Sequence, residues 1–434
     1  MMNRLLKKIS PGRLIAMGFA ALILTGTLLL LLPVSRRPEA QVSFTDALFS
    51  ATSAVCITGL MTVDPGSVFS GFGQTVLLLL IQIGGLGITS LGVGIMALAG
   101  QRLYFRERLL IKEALNYSTL KGVWSLIRLV LGFTFAAELA GAAAVFPLLI
   151  REFPVGKAIW FSVFHSIAAF NNAGIDVFGR GDNLIPYAHD VPMNLITCVL
   201  IIMGGIGFFV IRDLWENRRG HRYTLQTKVV LAVTGILLAA GTVLIKITEG
   251  EGITWLGAFF ASVTARTAGF STFHFGGFSR AGLLVMMVLM FIGASPGSTG
   301  GGMKTTTIFV AFASLRSAST NHPPEAFRRR ISAEAQHKAF VVLSLGLILV
   351  IAVTAVLCIL EPEMGLEDIL FETVSAVGTV GLSTGITADF GTAARIVLVL
   401  TMYIGRLGPL TVASLWVREP DTGISLPEES LPIG

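Results

Sequence analysis

The sequence predicts an all-α membrane protein with eight transmembrane helices, in which four parallel-oriented repeats surround a pseudo-fourfold cation pore. Composition is the first reason: hydrophobic residues make up 53% of the 434 residues and charged residues only 13%, about half the charged fraction of a soluble domain. The second is the long uncharged segments, for instance between Asp64 and Arg102, because a bilayer is crossed by roughly 20 apolar residues. The third is a glycine that recurs four times, each time in a short polar strip.

The four polar strips predict an ion filter. A half-length apolar segment precedes each strip, and a full-length apolar segment follows it. Glycine can turn its carbonyl where other residues cannot, and a ring of carbonyls can replace the hydration shell of a cation. The predicted filter residues are Ile57, Thr58 and Gly59; Asn172, Ala173 and Gly174; Thr267, Ala268 and Gly269; and Thr379, Val380 and Gly381.

A second glycine follows each filter glycine at a nearly constant distance. Gly84, Gly204, Gly293 and Gly405 come 25, 30, 24 and 24 residues after the filter glycines. Because the two glycines of each pair are separated by nearly the same distance in all four cases, the sequence contains internal repeats. The predicted repeats cover residues 1–110, 111–220, 221–320 and 321–434, the last with a C-terminal tail.

Segment lengths predict the same order of elements in every repeat: a span, a short re-entrant pore helix, the filter strip and a second span. The short segments are too short to cross a bilayer. Two full crossings return the chain to its starting side, so all four repeats share one orientation and can close into a ring. The first spans are predicted at 14–33, 125–149, 229–248 and 339–360, the pore helices at 43–56, 157–170, 253–265 and 366–377, and the second spans at 73–99, 191–211, 281–311 and 395–417.

The placement of basic residues predicts orientation rather than a nucleic-acid partner. The net charge is +6, but the basic clusters alternate with hydrophobic segments as the positive-inside rule requires. They place both termini in the cytoplasm and the filter strips toward the outside of a multi-pass protein of the cell membrane, with membrane lipid as its surroundings. The clusters are residues 4–8, 102–121, 212–228 and 316–338.

Several of these segments resemble the Trk/Ktr/HKT superfamily of potassium transporters. The resemblance lies in residues 52–60, 82–87, 170–174 and 265–270, extends over nearly the whole chain, and is closest to the bacterial KtrB-type translocating subunit. It implies uptake of potassium as the transported substrate, a homodimer, and control by a cytosolic KtrA-type ring of nucleotide-binding subunits. We therefore expect nucleotide on the partner and no cofactor on this chain. Gly59, where sodium-selective plant relatives carry serine, favours potassium.

A glycine- and proline-rich stretch interrupts the second span of the third repeat. Helix interiors disfavour glycine by about 1 kcal/mol and proline by about 3 kcal/mol, so the span is predicted to break into an intramembrane loop that acts as a gate, with a tight packing kink as the alternative. The predicted gate residues are Gly293, Ser295, Pro296, Gly297, Gly300, Gly301, Gly302, Lys304 and Arg406.

Arg406 and Lys304 are the charged members of the gate. A charge at mid-membrane normally faces the bundle interior or a water-filled path, so Arg406 is expected either to repel cations or to anchor the loop through serine or backbone carbonyls. The remaining alternative is an arginine whose charge reaches the membrane surface. Lys304 either acts in the same region or only ends the loop.

Two other classes of function fit the sequence less well. An ion-coupled secondary transporter of another small solute would need a chain of ionisable groups inside the bundle, and Glu138 is the one interior acid, for which a structural bond between helices is the favoured role. An enzyme is suggested by Gly293–Gly297, which fits a serine-nucleophile pattern, but no second span offers a histidine base. We therefore expect no catalytic residues and no enzyme activity.

Overall fold

The computed structural model describes residues 11–87, 123–217, 223–320 and 322–414, and nearly all of its regular structure is helical. A two-stranded hairpin, β1 (Glu325–Ala326) and β2 (Arg329–Arg330), is the exception among these residues. The helices are α1 (Pro11–Leu31), α2 (Phe44–Cys56), α3 (Pro65–Val68), α4 (Gly71–Leu86), α5 (Val123–Leu149), α6 (Val155–Phe170), α7 (Val191–Ile206), α8 (Phe208–Glu216), α9 (Leu225–Glu249), α10 (Trp255–Thr264), α11 (Arg280–Phe291), α12 (Thr305–Thr320), α13 (Ala333–Leu360), α14 (Leu366–Gly378), α15 (Thr392–Leu407) and α16 (Pro409–Ser414).

Four of these helices are long and apolar enough to cross a membrane, namely α1, α5, α9 and α13. They have 21, 27, 25 and 28 residues, and at a rise of 1.5 Å per residue each reaches across a hydrocarbon core of about 30 Å. They coincide with the four predicted first spans, which are therefore confirmed.

A short helix follows each long one and ends at a filter strip. These pore helices are α2, α6, α10 and α14, close to the predicted bounds. The first begins with a capping box, in which Ser43 and Asp46 satisfy each other's backbone N–H groups. Their C-terminal halves are buried, and each carries a large aromatic side chain with almost no exposure, namely Phe49, Phe164, Phe260 and Phe371. The pore helices therefore form the centre of the molecule.

Three of the four second spans, those of repeats two, three and four, differ from the prediction, because they are broken and not continuous. A break was predicted in the third repeat alone, where residues 292–304 separate α11 from α12. The second repeat also bends, by 91° between α7 and α8. A glycine with positive φ ends the first half in the other three repeats, and only glycine takes this conformation readily. These glycines are Gly87 (φ 79°), Gly207 (φ 98°) and Gly408 (φ 87°). Residues 88–99 of the first predicted second span, and 415–417 of the last, lie outside the described residues.

The second glycine marker is explained by close packing. The first half of each second span lies against the end of its own repeat's pore helix, and at three of the four positions a side chain would collide with a carbonyl of that helix. Methyl groups built on Gly84, Gly204 and Gly405 would strike the carbonyl oxygens of Val55, Phe170 and Val377, respectively. At these positions glycine therefore allows the backbone of the second span to approach the C-terminal end of the pore helix closely.

The repeats follow one another in a closed cycle. The first half of each second span packs against the pore helix of the following repeat: α4 against α6, α7 against α10, and α11 against α14. The cycle closes because α15, in the last repeat, packs against α2 in the first. This arrangement brings the ends of all four pore helices to one axis.

Candidate functional site

The four strips adopt the same unusual backbone. In each predicted triplet the first residue and the third, a glycine, have positive φ. For a residue other than glycine this conformation costs roughly 1–2 kcal/mol, so its repetition at four matching positions indicates that the surrounding fold imposes it. The φ values are 55° at Ile57, 60° at Asn172, 73° at Thr267 and 49° at Thr379, and 97°, 62°, 78° and 95° at the four glycines.

The four glycines form a ring in which each faces the neighbouring strip. A methyl group built on Gly59 would lie 2.7 Å from the carbonyl oxygen of Ala173. A methyl group on Gly174 would lie 2.7 Å from the carbonyl oxygen of Ala268, and a methyl group on Gly269 would lie 2.5 Å from the carbonyl oxygen of Val380. Gly381 closes the ring, because its methyl group would strike the oxygen of Thr58. The structure thus brings all twelve predicted filter residues together, and no side chain fits at any of the four glycines.

Side chains of the pore helices hold two of the strips in the same way. Ser53 Oγ accepts a hydrogen bond of 2.9 Å from the amide of Gly59, and Ser375 Oγ accepts one of 3.0 Å from the amide of Gly381. In both cases the serine precedes the glycine by six residues. This shared spacing is a signal in the sequence that could have identified both serines, which the sequence analysis missed.

The other two strips are held differently. Asn183 Nδ2 donates to the carbonyl of Gly174 at 3.0 Å, while its Oδ1 accepts from the amide of Ser271 at 3.2 Å, so one side chain joins the second repeat to the third. Thr264 Oγ1 donates to the carbonyl of Phe270 at 2.6 Å. No repeated spacing marks Asn183 or Thr264, and the sequence analysis did not find them.

The pore helices give the ring a favourable field for cations. At most two residues separate the end of each pore helix from its strip, and a helix C-terminus carries about half a negative charge. Four such ends at one axis attract a cation and repel an anion.

The interrupted span forms a loop, residues 292–304, that lies against the filter. Methyl groups built on Gly300 and Gly301 would strike the hydroxyl oxygens of Thr267 and Thr379, the first residues of strips three and four. The base of the loop is closed by a parallel bridge between Ile292 and Met303.

The second repeat supports this loop through its helix ends. The amide of Ser295 donates to the carbonyl of Gly205 at 3.0 Å, and the amide of Thr299 donates to the carbonyl of Gly204 at 3.2 Å. Thr299 Oγ1 also donates to the carbonyl of Phe170, at 3.2 Å. The loop is therefore hydrogen-bonded to the ends of two helices of the second repeat.

Arg406 joins the loop to the first repeat. Its Nη1 donates to the carbonyl of Thr299 at 2.5 Å, and its Nη2 donates to the carbonyl of Gly84, with a longer contact of 3.4 Å to Gly85. Of the expected alternatives, this geometry matches an anchor through backbone carbonyls. Arg406 thus links the loop of repeat three to α4 of repeat one.

Lys304 lies at the other end of the loop. Its Nζ donates to the carbonyl of Gly300 at 2.8 Å and approaches that of Gly301 at 3.4 Å. Lys304, Arg406, the loop and the broken helix ends line a cavity of about 380 Å³. Both cations are therefore bound to carbonyls beside an open space next to the filter.

Glu138 belongs to a separate, closed network. Asn171 Nδ2 donates to Glu138 Oε1 at 2.9 Å and to Gln82 Oε1 at 3.1 Å, and Gln82 Nε2 donates to Glu138 Oε2 at 3.2 Å. Glu138 is buried, and both of its oxygens are occupied. The arrangement matches the favoured structural role, a bond between helices of two repeats.

Comparison with known proteins identifies the family. The sequence profile of TrkH, described as a cation transport protein, matches residues 14–422. The chain is 39% identical to the "Potassium/sodium uptake protein NtpJ" of Enterococcus hirae, over all of this chain and 99% of that protein. It is 37% identical to the "Ktr system potassium uptake protein B" of Bacillus subtilis, over 97% and 96% of the two chains.

A solved structure shows the same fold. The potassium transporter TrkH from Vibrio parahaemolyticus superposes with a TM-score of 0.72, over 94% of this chain and 86% of that chain, at 18% identity. The expected resemblance to the Trk/Ktr group is confirmed, and so is the all-α membrane fold. With a family profile that spans nearly the whole chain and relatives of this identity at full length, the chain belongs to the TrkH family of cation transport proteins and is a transporter rather than an enzyme.

Proposed function

We propose that this chain takes up potassium across the cytoplasmic membrane through a channel-like filter, driven by the electrochemical gradient of the ion. The ring of four glycines carries the proposal. A dehydrated cation needs several oxygen ligands at once, and the four strips supply backbone carbonyls at one axis, with four helix C-termini directed at it. The names of the two relatives support potassium as the substrate, and one of them adds sodium.

The loop at residues 292–304 acts in this proposal as the gate. It lies against the first residues of two strips, and it is held by Arg406 on one side and by the helix ends of repeat two on the other. An ion that leaves the filter must pass it. Opening then requires the loop to move away from Thr267 and Thr379, with the bonds to Arg406 and Lys304 exchanged or broken.

Control by a separate protein completes the proposal. The sequence contains no dinucleotide-binding fingerprint outside its apolar spans, and one relative is named as part of a "Ktr system". We infer a homodimer that binds a cytosolic KtrA-type ring, with nucleotide on that ring. The basic clusters favour cytoplasmic termini, and the four repeats are assigned to residues 1–110, 111–220, 221–320 and 321–434.

Tracer uptake into proteoliposomes tests the function directly. The purified chain is reconstituted with a potassium gradient, and rubidium uptake is measured while potassium or sodium competes. Potassium should inhibit at much lower concentrations than sodium. Equal inhibition by the two ions would show an unselective cation pathway, and uptake that depends on an added organic solute would favour a coupled transporter instead.

A further inference from the structure

Glu372 is a fully buried acid beside the fourth filter strip, so the expectation that Glu138 is the one interior acid is wrong. Glu372 lies on pore helix α14, nine residues before Gly381, and its relative exposure is 0%. Its carboxylate accepts hydrogen bonds from Ser383 Oγ and, at 3.1 Å, from Thr387 Oγ1. Both hydroxyl groups belong to the segment that follows the strip. Glu372 therefore links the pore helix that precedes strip four to the segment that follows the strip.

The hydroxyl groups also bind each other and the backbone. Thr387 Oγ1 lies 2.9 Å from Ser383 Oγ, which accepts a hydrogen bond of 2.8 Å from the amide of Gly385. Because Ser383 Oγ accepts from the amide of Gly385, its own proton is directed to the carboxylate, and the single proton of Thr387 Oγ1 is shared between Ser383 Oγ and Glu372 Oε2. Glu372 thus serves as an acceptor at the end of a defined chain of donors, a role that an ionised carboxylate fills better than any neutral group of the same shape.

Glu372 has no cationic partner within the part of the chain that the structure describes, since no lysine, arginine or histidine there forms an ion pair with it. Burial of an unpaired carboxylate is costly and favours the protonated form, unless a nearby positive charge compensates for it. The filter axis, where Gly381 approaches Gly59 and Gly269, is where the proposed function places such a charge, in the form of the transported ion.

The other repeats lack this feature. The positions nine residues before their filter glycines hold Ser50, His165 and Phe260. The hydroxyl group of Ser50 has no hydrogen-bond partner in the described part of the chain, and His165 bonds to Thr197 rather than to the segment after its strip. The acid in repeat four is therefore not a requirement of pore-helix packing, which the other three repeats achieve without it.

We propose that Glu372 is a positioning and specificity-determining residue of the filter. It fixes the strip Thr379-Val380-Gly381 through Ser383 and Thr387, and it adds a negative charge behind the ring that raises affinity for the transported cation. The inference rests on the proposed function, since it assigns to Glu372 a share of the filter's affinity and selectivity.

Two sets of variants separate this role from simple packing. Glu372→Gln keeps the volume but replaces one acceptor oxygen by a donor group and removes the charge. The double variant Ser383→Ala with Thr387→Val keeps the acid and removes its donors. Glu367→Gln is the matched control, because Glu367 lies in the first turn of the same helix with its side chain 48% exposed.

Rubidium uptake is measured for each variant over a range of concentrations and against competing sodium. Glu372→Gln should raise the half-saturating concentration about tenfold, the effect expected for loss of one hydrogen bond to a charged group, and should weaken discrimination against sodium. The double variant should shift both quantities in the same direction, and combination with Glu372→Gln should add little, since the three groups act as one network. Glu367→Gln should match wild type.

Unchanged half-saturation and unchanged competition in both sets of variants would overturn the proposal, and so would a loss confined to the maximal rate. If Glu372→Gln does not fold, as judged by its elution as a dispersed species in detergent, the double variant decides by the same criteria. Failure of the proposed function looks different, because wild type itself would then not distinguish potassium from sodium.

Discussion

Arg395 Nη1 lies 2.7 Å from Asp46 Oδ1, although 349 residues separate the two side chains in sequence. Arg395 stands near the start of α15 in the last repeat, and Asp46 caps the first pore helix, α2. Their side chains are only 20% and 14% exposed. This ion pair fastens the last repeat to the first and so closes the ring that surrounds the filter.

Asp46→Ala should therefore lower the stability of the protein. The change removes both the ion pair and part of the capping box, and each contributes about 1 kcal/mol or more. We expect a loss of roughly 2–3 kcal/mol, seen as a lower melting temperature in detergent. Lys338→Gln, which breaks the exposed pair of Lys338 with Glu334, serves as the control and should change stability by less than about 1 kcal/mol. Equal melting temperatures for the two variants would contradict a ring-closing role.

Gly204→Ala should be poorly tolerated, because the new methyl group would strike the carbonyl of Phe170 at the end of pore helix α6. Overpacking of this kind typically costs about 1–3 kcal/mol. Gly235 is the matched control, since a methyl group there has no atom within 4 Å. Gly235→Ala should leave stability unchanged or raise it by about 0.5–1 kcal/mol. The prediction is wrong if thermal unfolding in detergent ranks the two variants in the opposite order.

Deletion of residues 296–301 should open the pathway. The deletion removes Gly300 and Gly301, which lie against two strips, and Thr299, to which Arg406 is bonded. Cation uptake by the reconstituted chain should rise and become independent of any activating partner. Uptake at or below the wild-type rate, in a deletion variant that remains folded, would show that the loop is not the gate.

Substitutions of Arg406 distinguish two explanations of how the proposed gate restricts uptake. Because its guanidinium group spans the carbonyls of Thr299 and Gly84, Arg406→Ala should release the loop and raise uptake several-fold. Arg406→Lys keeps the charge but offers a compact ammonium group in place of the planar fork. If the anchor holds the gate, the lysine variant should resemble the alanine variant. If charge repulsion holds it, the lysine variant should resemble wild type, and equal uptake in all three would place Arg406 outside the gate.

The sequence predicts the architecture because hydrophobic length and repetition are direct physical signals. The first spans, the pore helices and the four strips follow from runs of apolar residues and from glycines at a fixed spacing. The break at residues 292–304 is also visible, since six of the ten residues from Gly293 to Gly302 are glycine or proline.

The breaks at Gly207 and Gly408 escape the same reasoning. A single glycine within an apolar run is compatible with a continuous membrane helix, and only the folded backbone reveals its positive φ. The left-handed conformation of Ile57 is equally hidden, because a β-branched residue rarely adopts it. Contacts such as Arg395 with Asp46 depend on the closure of the ring, which no local pattern encodes.

The central claim is that the four glycines form one selectivity filter, and serine substitution tests it most directly. A side chain at Gly59 would meet the carbonyl of Ala173 at 2.7 Å, so strip two must move. Gly71, where an added methyl group has no neighbour within 4 Å, provides the control. The measurement is competition of sodium against rubidium uptake in proteoliposomes. We predict that Gly59→Ser, Gly174→Ser, Gly269→Ser and Gly381→Ser each weaken discrimination against sodium, while Gly71→Ser matches wild type. Wild-type competition curves for all four filter variants, at equal expression and folding, would contradict the account.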